Sequence, residues 1–173
     1  REGEARVMSA SRRLATGLNS SLARCAVVLH DRFVPGARIA VDHLVIGPNG
    51  IWLIDAKADR GRLESRDRDS WSRADDRLYV GGRNRTDLVM QMESTINAVR
   101  RALEPIGYGG SPVNGAICFP NATWPPLCPA FQLDGVWVTD PSTLTPLLLG
   151  PTSFSDVAIH VVGHHLRDHL AKA

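Results

Sequence analysis

Residues 41–57 read VDHLVIGPNGIWLIDAK, and the reading of this stretch decides the fold. Two apolar runs flank Gly47-Pro48-Asn49-Gly50, a cluster of turn formers. Each run is short and rich in Val, Ile and Leu, as a buried strand is. Asn-Gly is a strong hairpin signal for a type I′ turn. With Asn49-Gly50 as the loop, Asp42 falls opposite Lys57, and Leu44 opposite Asp55. Directly opposed residues share a sheet face, and residues two apart on a strand do too. Asp42, Asp55 and Lys57 therefore converge at the open end of the hairpin. The two carboxylates are expected to be diagonal neighbours, about 7–8 Å apart.

Charges in so apolar a setting are costly unless paired or bound to a metal. Two carboxylates at that spacing suit a hard dication, because Mg²⁺ takes one or two carboxylates and completes its octahedron with water and substrate phosphate. A neighbouring ammonium can steady an attacking water or phosphate charge, which together makes metal-assisted phosphodiester hydrolysis. An ion pair at the strand end, Lys57 with Asp42 or Asp55, is the alternative reading.

Outward from the hairpin, residues 2–19 show an amphipathic helical pattern, with Val7, Leu14 and Leu18 on one face and Glu4 beside that stripe. RCAVVLHD (24–31) reads as a strand. Residues 58–77, rich in Arg and Asp, read as a solvated loop with a short strand near Leu63, and 78–80 as another strand. Residues 87–103 give the clearest helix, with Asp87 at its N-cap and a stripe through Leu88, Met92, Ile96, Val99 and Leu103. Residues 113–119 and 135–139 are strands on either side of a Pro-rich loop. Asp140-Pro141 opens a short helix, and 154–170 is a closing helix. This order predicts an α/β (α+β) fold, a mixed central β-sheet flanked by helices.

The chain has 173 residues, 43% hydrophobic and 22% charged, which suits one globular domain. We take 1–173 as that domain, with a core over about 1–140 and a helical extension over 141–173. It opens REGEARVM, so a longer parent chain is expected. The net charge of +2 does not select a partner. Among the basic residues only Lys57 and Lys172 are lysines, which makes a strand-end lysine conspicuous. Cys25, Cys118 and Cys128 form no framework of close pairs, so buried thiols and a cytoplasmic setting are expected. No apolar run reaches the length of a membrane helix.

Taken together, Gly3-Glu4, Val41-Asp42-His43, Gly47-Pro48-Asn49-Gly50, Ile54-Asp55-Ala56-Lys57, Gly61 and Gln91 resemble the nuclease-related domain (NERD) of the PD-(D/E)XK nuclease superfamily. The resemblance runs from about residue 3 to about 140. Val41 stands where the superfamily name has Pro. The resemblance implies a restriction-endonuclease-like core and a Mg²⁺ (or Mn²⁺) site on Asp42, Asp55 and the backbone carbonyl of Ala56. It also implies catalytic roles for Lys57, Glu4 and Gln91. The bland alternatives are a helix-dipole carboxylate for Glu4 and a surface amide for Gln91.

DNA is the expected partner, with RNA and partner domains or self-association open. Arg60, Arg62, Arg83 and Arg85 are candidate phosphate contacts, although Gly81-Gly82-Arg83 is no phosphate loop. His43 points to the face opposite Asp42 by strand alternation. His160, His164, His165 and His169 have no cysteine or carboxylate at a recognisable zinc spacing, and imidazoles near a helix C-terminus are favoured anyway. Two rival classes remain beside a nuclease: a nucleic-acid-binding module without turnover, and a regulatory or assembly domain.

Overall fold

A computed structural model describes residues 2–37, 40–66, 77–126 and 130–173, without the side chains of residues 2–9 and 66. Trp71 and Cys128 therefore lie outside the described residues. The chain begins with helix α1 (Glu2–Leu22), then strands β1 (Val27–Phe33), β2 (Ala40–Gly47) and β3 (Gly50–Ala56). Strands β4 (Gly61–Arg66), β5 (Arg77–Val80) and β6 (Arg83–Asn84) precede helix α2 (Thr86–Leu103). Next come β7 (Val113–Cys118), β8 (Ala122–Thr123), β9 (Ala130–Leu133) and β10 (Val136–Thr139). Helices α3 (Pro141–Leu148) and α4 (Asp156–His169) and the short β11 (Ala171–Lys172) close the chain. No helix among the described residues is long and apolar enough to cross a membrane.

Seven strands form one mixed sheet, ordered β11-β1-β2-β3-β7-β10-β9. β3 lies at its centre, antiparallel to β2 and parallel to β7. All seven residues of β3 are buried, the mark of a strand covered on both faces. One face packs Val45, Trp52, Ile54 and Ala56 against Leu14, Leu18 and Leu22 of α1 and Leu144 and Leu148 of α3. The other packs Leu44, Ile46, Ile51, Leu53 and Ile117 against α2 and α4. Gly115 lets α2 approach, since a Cβ there would stand 2.5 Å from Met92 Cγ. The fold is thus the α/β sandwich expected from the order of elements.

Several local expectations are corrected. The expected strands near Leu63 and at 78–80 are β4 and β5, but they extend further than expected and pair with β6 and β8 in a second sheet ordered β6-β5-β4-β8. Its Leu63, Leu78 and Val80 join the main core. Two-residue strands and a four-residue strand such as β9 leave too few apolar positions for a periodic signal. Asp87 lies in the first turn of α2 rather than at its N-cap, which Arg85 occupies. Asn84 Oδ1 instead accepts from Thr86 N–H.

The hairpin register also differs. Pairs run His43–Ile54, Val45–Trp52 and Gly47–Gly50, so the loop is Pro48-Asn49. Pro48 cannot take the positive φ that a type I′ turn needs at its first central position. Gly50 absorbs the strain one residue later, with φ +97°. A Cβ on Gly50 would also stand 2.8 Å from Pro112 O. Gly50→Ala is therefore expected to destabilise the chain by about 1–3 kcal/mol, measurable by urea unfolding.

Candidate active site

The shifted register keeps the acids on one face and brings them closer. Continuing the observed pairing places Asp42 directly opposite Asp55 rather than diagonal to it. Lys57, expected opposite Asp42, lies one step beyond the paired ladder. Asp42 Oδ2 accepts from the Ala56 N–H at 2.8 Å, which turns the carboxylate across the hairpin end. Lys57 Nζ contacts Asp55 Oδ2 at 2.5 Å. Its backbone N–H donates to Cys118 O at 2.9 Å, so Lys57 still follows the line of β3. In a strand, one residue's N–H and C=O point to the same side. The Ala56 carbonyl therefore turns towards β2 and Asp42, as its N–H does.

Asp55 is 6% exposed, and burial pushes its carboxyl up to about 6. The Lys57 charge opposes that rise and the Asp42 charge adds to it. Two facing carboxylates, one of them buried, form a donor pair short of positive charge, and Lys57 supplies it at Asp55. Among the described residues no three His, Cys, Asp or Glu side chains form a metal-holding group. The set here is two carboxylates and a backbone carbonyl, all hard oxygen donors, which fits Mg²⁺ better than an all-protein cage would.

The neighbouring elements hold this edge in place. Asp59, just after Lys57, accepts from Arg85 Nε at 2.7 Å and also meets Arg85 NH2. Arg85 ties the loop after β3 to the start of α2, so its guanidinium is taken up internally rather than offered to phosphate. Gln91 lies on α2, half-buried, and donates through Nε2 to Asp87 Oδ2 at 3.4 Å. Its partner is thus a neighbour on its own helix surface. Glu4 belongs to α1, but its side chain lies outside the described residues. Gly81 N–H donates to Arg62 O at 2.9 Å, which holds the turn before Arg83 against β4, and Arg60, Arg62 and Arg83 are all exposed. Arg62 also stands 3.7 Å from Glu64.

On the opposite face His43 is a hydrogen-bonded structural histidine, as its strand position led us to expect, but its partners were not anticipated. His43 is buried and bonds Ser11 Oγ through Nε2 and His30 Nδ1 through Nδ1. His30 Nε2 in turn meets Asn19 Oδ1. One order of hydrogens satisfies every member: Ser11 O–H donates to His43, His43 Nδ1–H to His30, and His30 Nε2–H to Asn19. Burial, then the His30 charge, lowers the His43 pKa to about 4, so the chain is neutral. It pins α1 to β1 and β2 directly behind Asp42. Only the strand alternation of His43 hinted at it.

The family model described as the nuclease-related domain matches residues 1–120. No curated protein and no solved structure showed a match.

Proposed function

We propose, from the premise that this chain belongs to the nuclease-related domain family, that it is a metal-dependent nuclease hydrolysing phosphodiester bonds in DNA. The observation that carries this reading is the convergence of Asp42, Asp55 and Lys57 at one end of a buried central hairpin. Asp42, Asp55 and the Ala56 carbonyl would hold Mg²⁺ or Mn²⁺. Such an ion supplies Lewis-acid polarisation of the phosphate and a more acidic water. Lys57 contributes a compact ammonium with three donors, placed to hold an attacking water and to offset charge on a non-bridging phosphate oxygen. Asp55 must shed its proton to act as an oxygen ligand. Glu4 and Gln91 are assigned supporting roles from the family motif.

The test is cleavage of linear and circular DNA with Mg²⁺, Mn²⁺ or EDTA, beside Asp55→Ala. Cleavage that survives EDTA or survives in Asp55→Ala would end the proposal. A binding module without turnover is favoured by one observation, the Lys57–Asp55 contact, which also serves as a structural ion pair. That reading expects DNA binding without cleavage in any metal.

Arg60, Arg62 and Arg83 are proposed to follow the DNA backbone. Replacing all three by Ala is expected to weaken binding uniformly across sequences. The salt slope of log K should fall by about 1 per arginine. An unchanged slope in fluorescence anisotropy across a salt series would remove these arginines from the interface.

A further inference from the structure

The histidines of α4 do more than complement a helix end. His160, His164, His165, Asp168 and His169 line one open concavity of about 460 Å³. His160 and His164 are four residues apart on a helix, which sets them side by side on one face. Both are exposed, so neither is needed for packing. His164 Nδ1 lies 3.0 Å from Asp168 Oδ2. That contact holds the proton on Nδ1 and leaves the Nε2 lone pair facing outward. A carboxylate that orients a ring in this way is the usual support of a metal-binding imidazole. The second pair is committed elsewhere: His165 Nε2 donates to Ala102 O at 2.8 Å, and His169 Nδ1 to His165 O at 2.9 Å. Their rings stack with centroids 4.0 Å apart and wall the concavity on one side.

We propose that His160 and His164 chelate a transition-metal dication of the Zn²⁺ class, with Asp168 positioning His164. Imidazole ligands select Zn²⁺, Cu²⁺ or Ni²⁺ over Mg²⁺, which prefers oxygen. The two imidazoles are the protein's share of the shell, and water completes it. The site is chemically distinct from the hard-oxygen pair at Asp42 and Asp55, and it does not depend on the nuclease reading. Its effect is to bridge two successive turns of α4, the helix that His165 fastens to α2.

The experiment is calorimetric titration of tag-free protein with ZnCl₂, in wild type, His160→Ala, Asp168→Asn and Asp55→Asn. Wild type is expected to bind one Zn²⁺ per chain, with a rise in Tm that an equal concentration of Mg²⁺ does not give. His160→Ala should abolish that binding. Asp168→Asn, which keeps both imidazoles, should weaken it about tenfold. Asp55→Asn should leave it unchanged. The proposal is overturned by no Zn²⁺ binding in wild type, by equal affinity in His160→Ala, or by loss of the Zn²⁺ site in Asp55→Asn alone. His160 and Asp168 are exposed on α4, Asp55 is buried in β3, and circular dichroism checks that each of the three variants is folded.

Discussion

Lys57→Ala is expected to lower metal-dependent DNA cleavage by about 10²–10³-fold, the usual cost of removing one charge-stabilising donor. The fold and DNA binding should persist. Lys57 is 23% exposed along its side chain, so its removal opens no cavity in the core. What changes is Asp55, which loses its counter-charge while Asp42 remains opposite. Its pKa, already raised to about 6, should climb further, and the variant should fold with Asp55 protonated near neutral pH. Lys57→Arg separates mechanism from architecture. Arginine keeps the charge and can still pair with Asp55, so a structural role would survive. Its planar fork replaces a compact point charge and should place an attacking water poorly. Cleavage by Lys57→Arg within a few-fold of wild type, in single-turnover kinetics, would remove Lys57 from the mechanism.

Asp55→Asn should abolish cleavage and at the same time stabilise the protein. The folded-state pKa of about 6 lies above the ordinary value of 3.8. The folded state therefore binds the proton more tightly than the unfolded state does. Lowering the pH through 6 towards 4 stabilises the fold through this group, and above pH 6 the buried charge is at its most costly. Asparagine carries no such charge. At pH 8 Asp55→Asn is expected to gain about 3 kcal/mol, because the rise from 3.8 to about 6 already counts the Lys57 pairing. Near pH 4 the gain should vanish. Urea unfolding at the two pH values measures it, and a variant less stable than wild type at pH 8 would show that the Lys57–Asp55 pair outweighs the burial of charge. Stability rising while activity falls is the pattern of a site held against the preference of the fold.

The central hairpin was legible because apolar runs and a turn cluster are local signals. So was the shared face of Asp42, Asp55 and Lys57, since it needs only strand parity. The register was misread by one step on each strand. Asn49-Gly50 is the stronger turn dipeptide, but Pro48 and the close approach of Pro112 to Gly50 favour the earlier loop, and the second of these is tertiary. Parity survived because the slip left each residue on its own face. Of the small sheet, the strands near Leu63 and at 78–80 were legible, but β6, β8 and the pairing were not, because two-residue strands carry no period and their partners are distant in sequence. Arg85 looked like its neighbours Arg83 and Arg62, and only the position of Asp59 tells it apart. The His30–His43 chain joins three elements, which no single-element pattern displays.

The parallel junction of β3 with β7 also sets the order in which the site can appear during folding. The β2–β3 hairpin closes over a two-residue loop, an event of about 1–10 μs. Ile51 pairs with Val113 and Ala56 with Cys118, so this junction closes a loop that holds β4, β5, β6 and α2. Closing so long a loop is the slow part of assembling such a topology. Until it closes, the Lys57 N–H has no Cys118 carbonyl to hold it, and Ile51, Leu53 and Asp55 lack their cover on one side. The two acids thus rest on a local hairpin, while the backbone of the lysine beside them is anchored by a contact that spans the longest loop of the site.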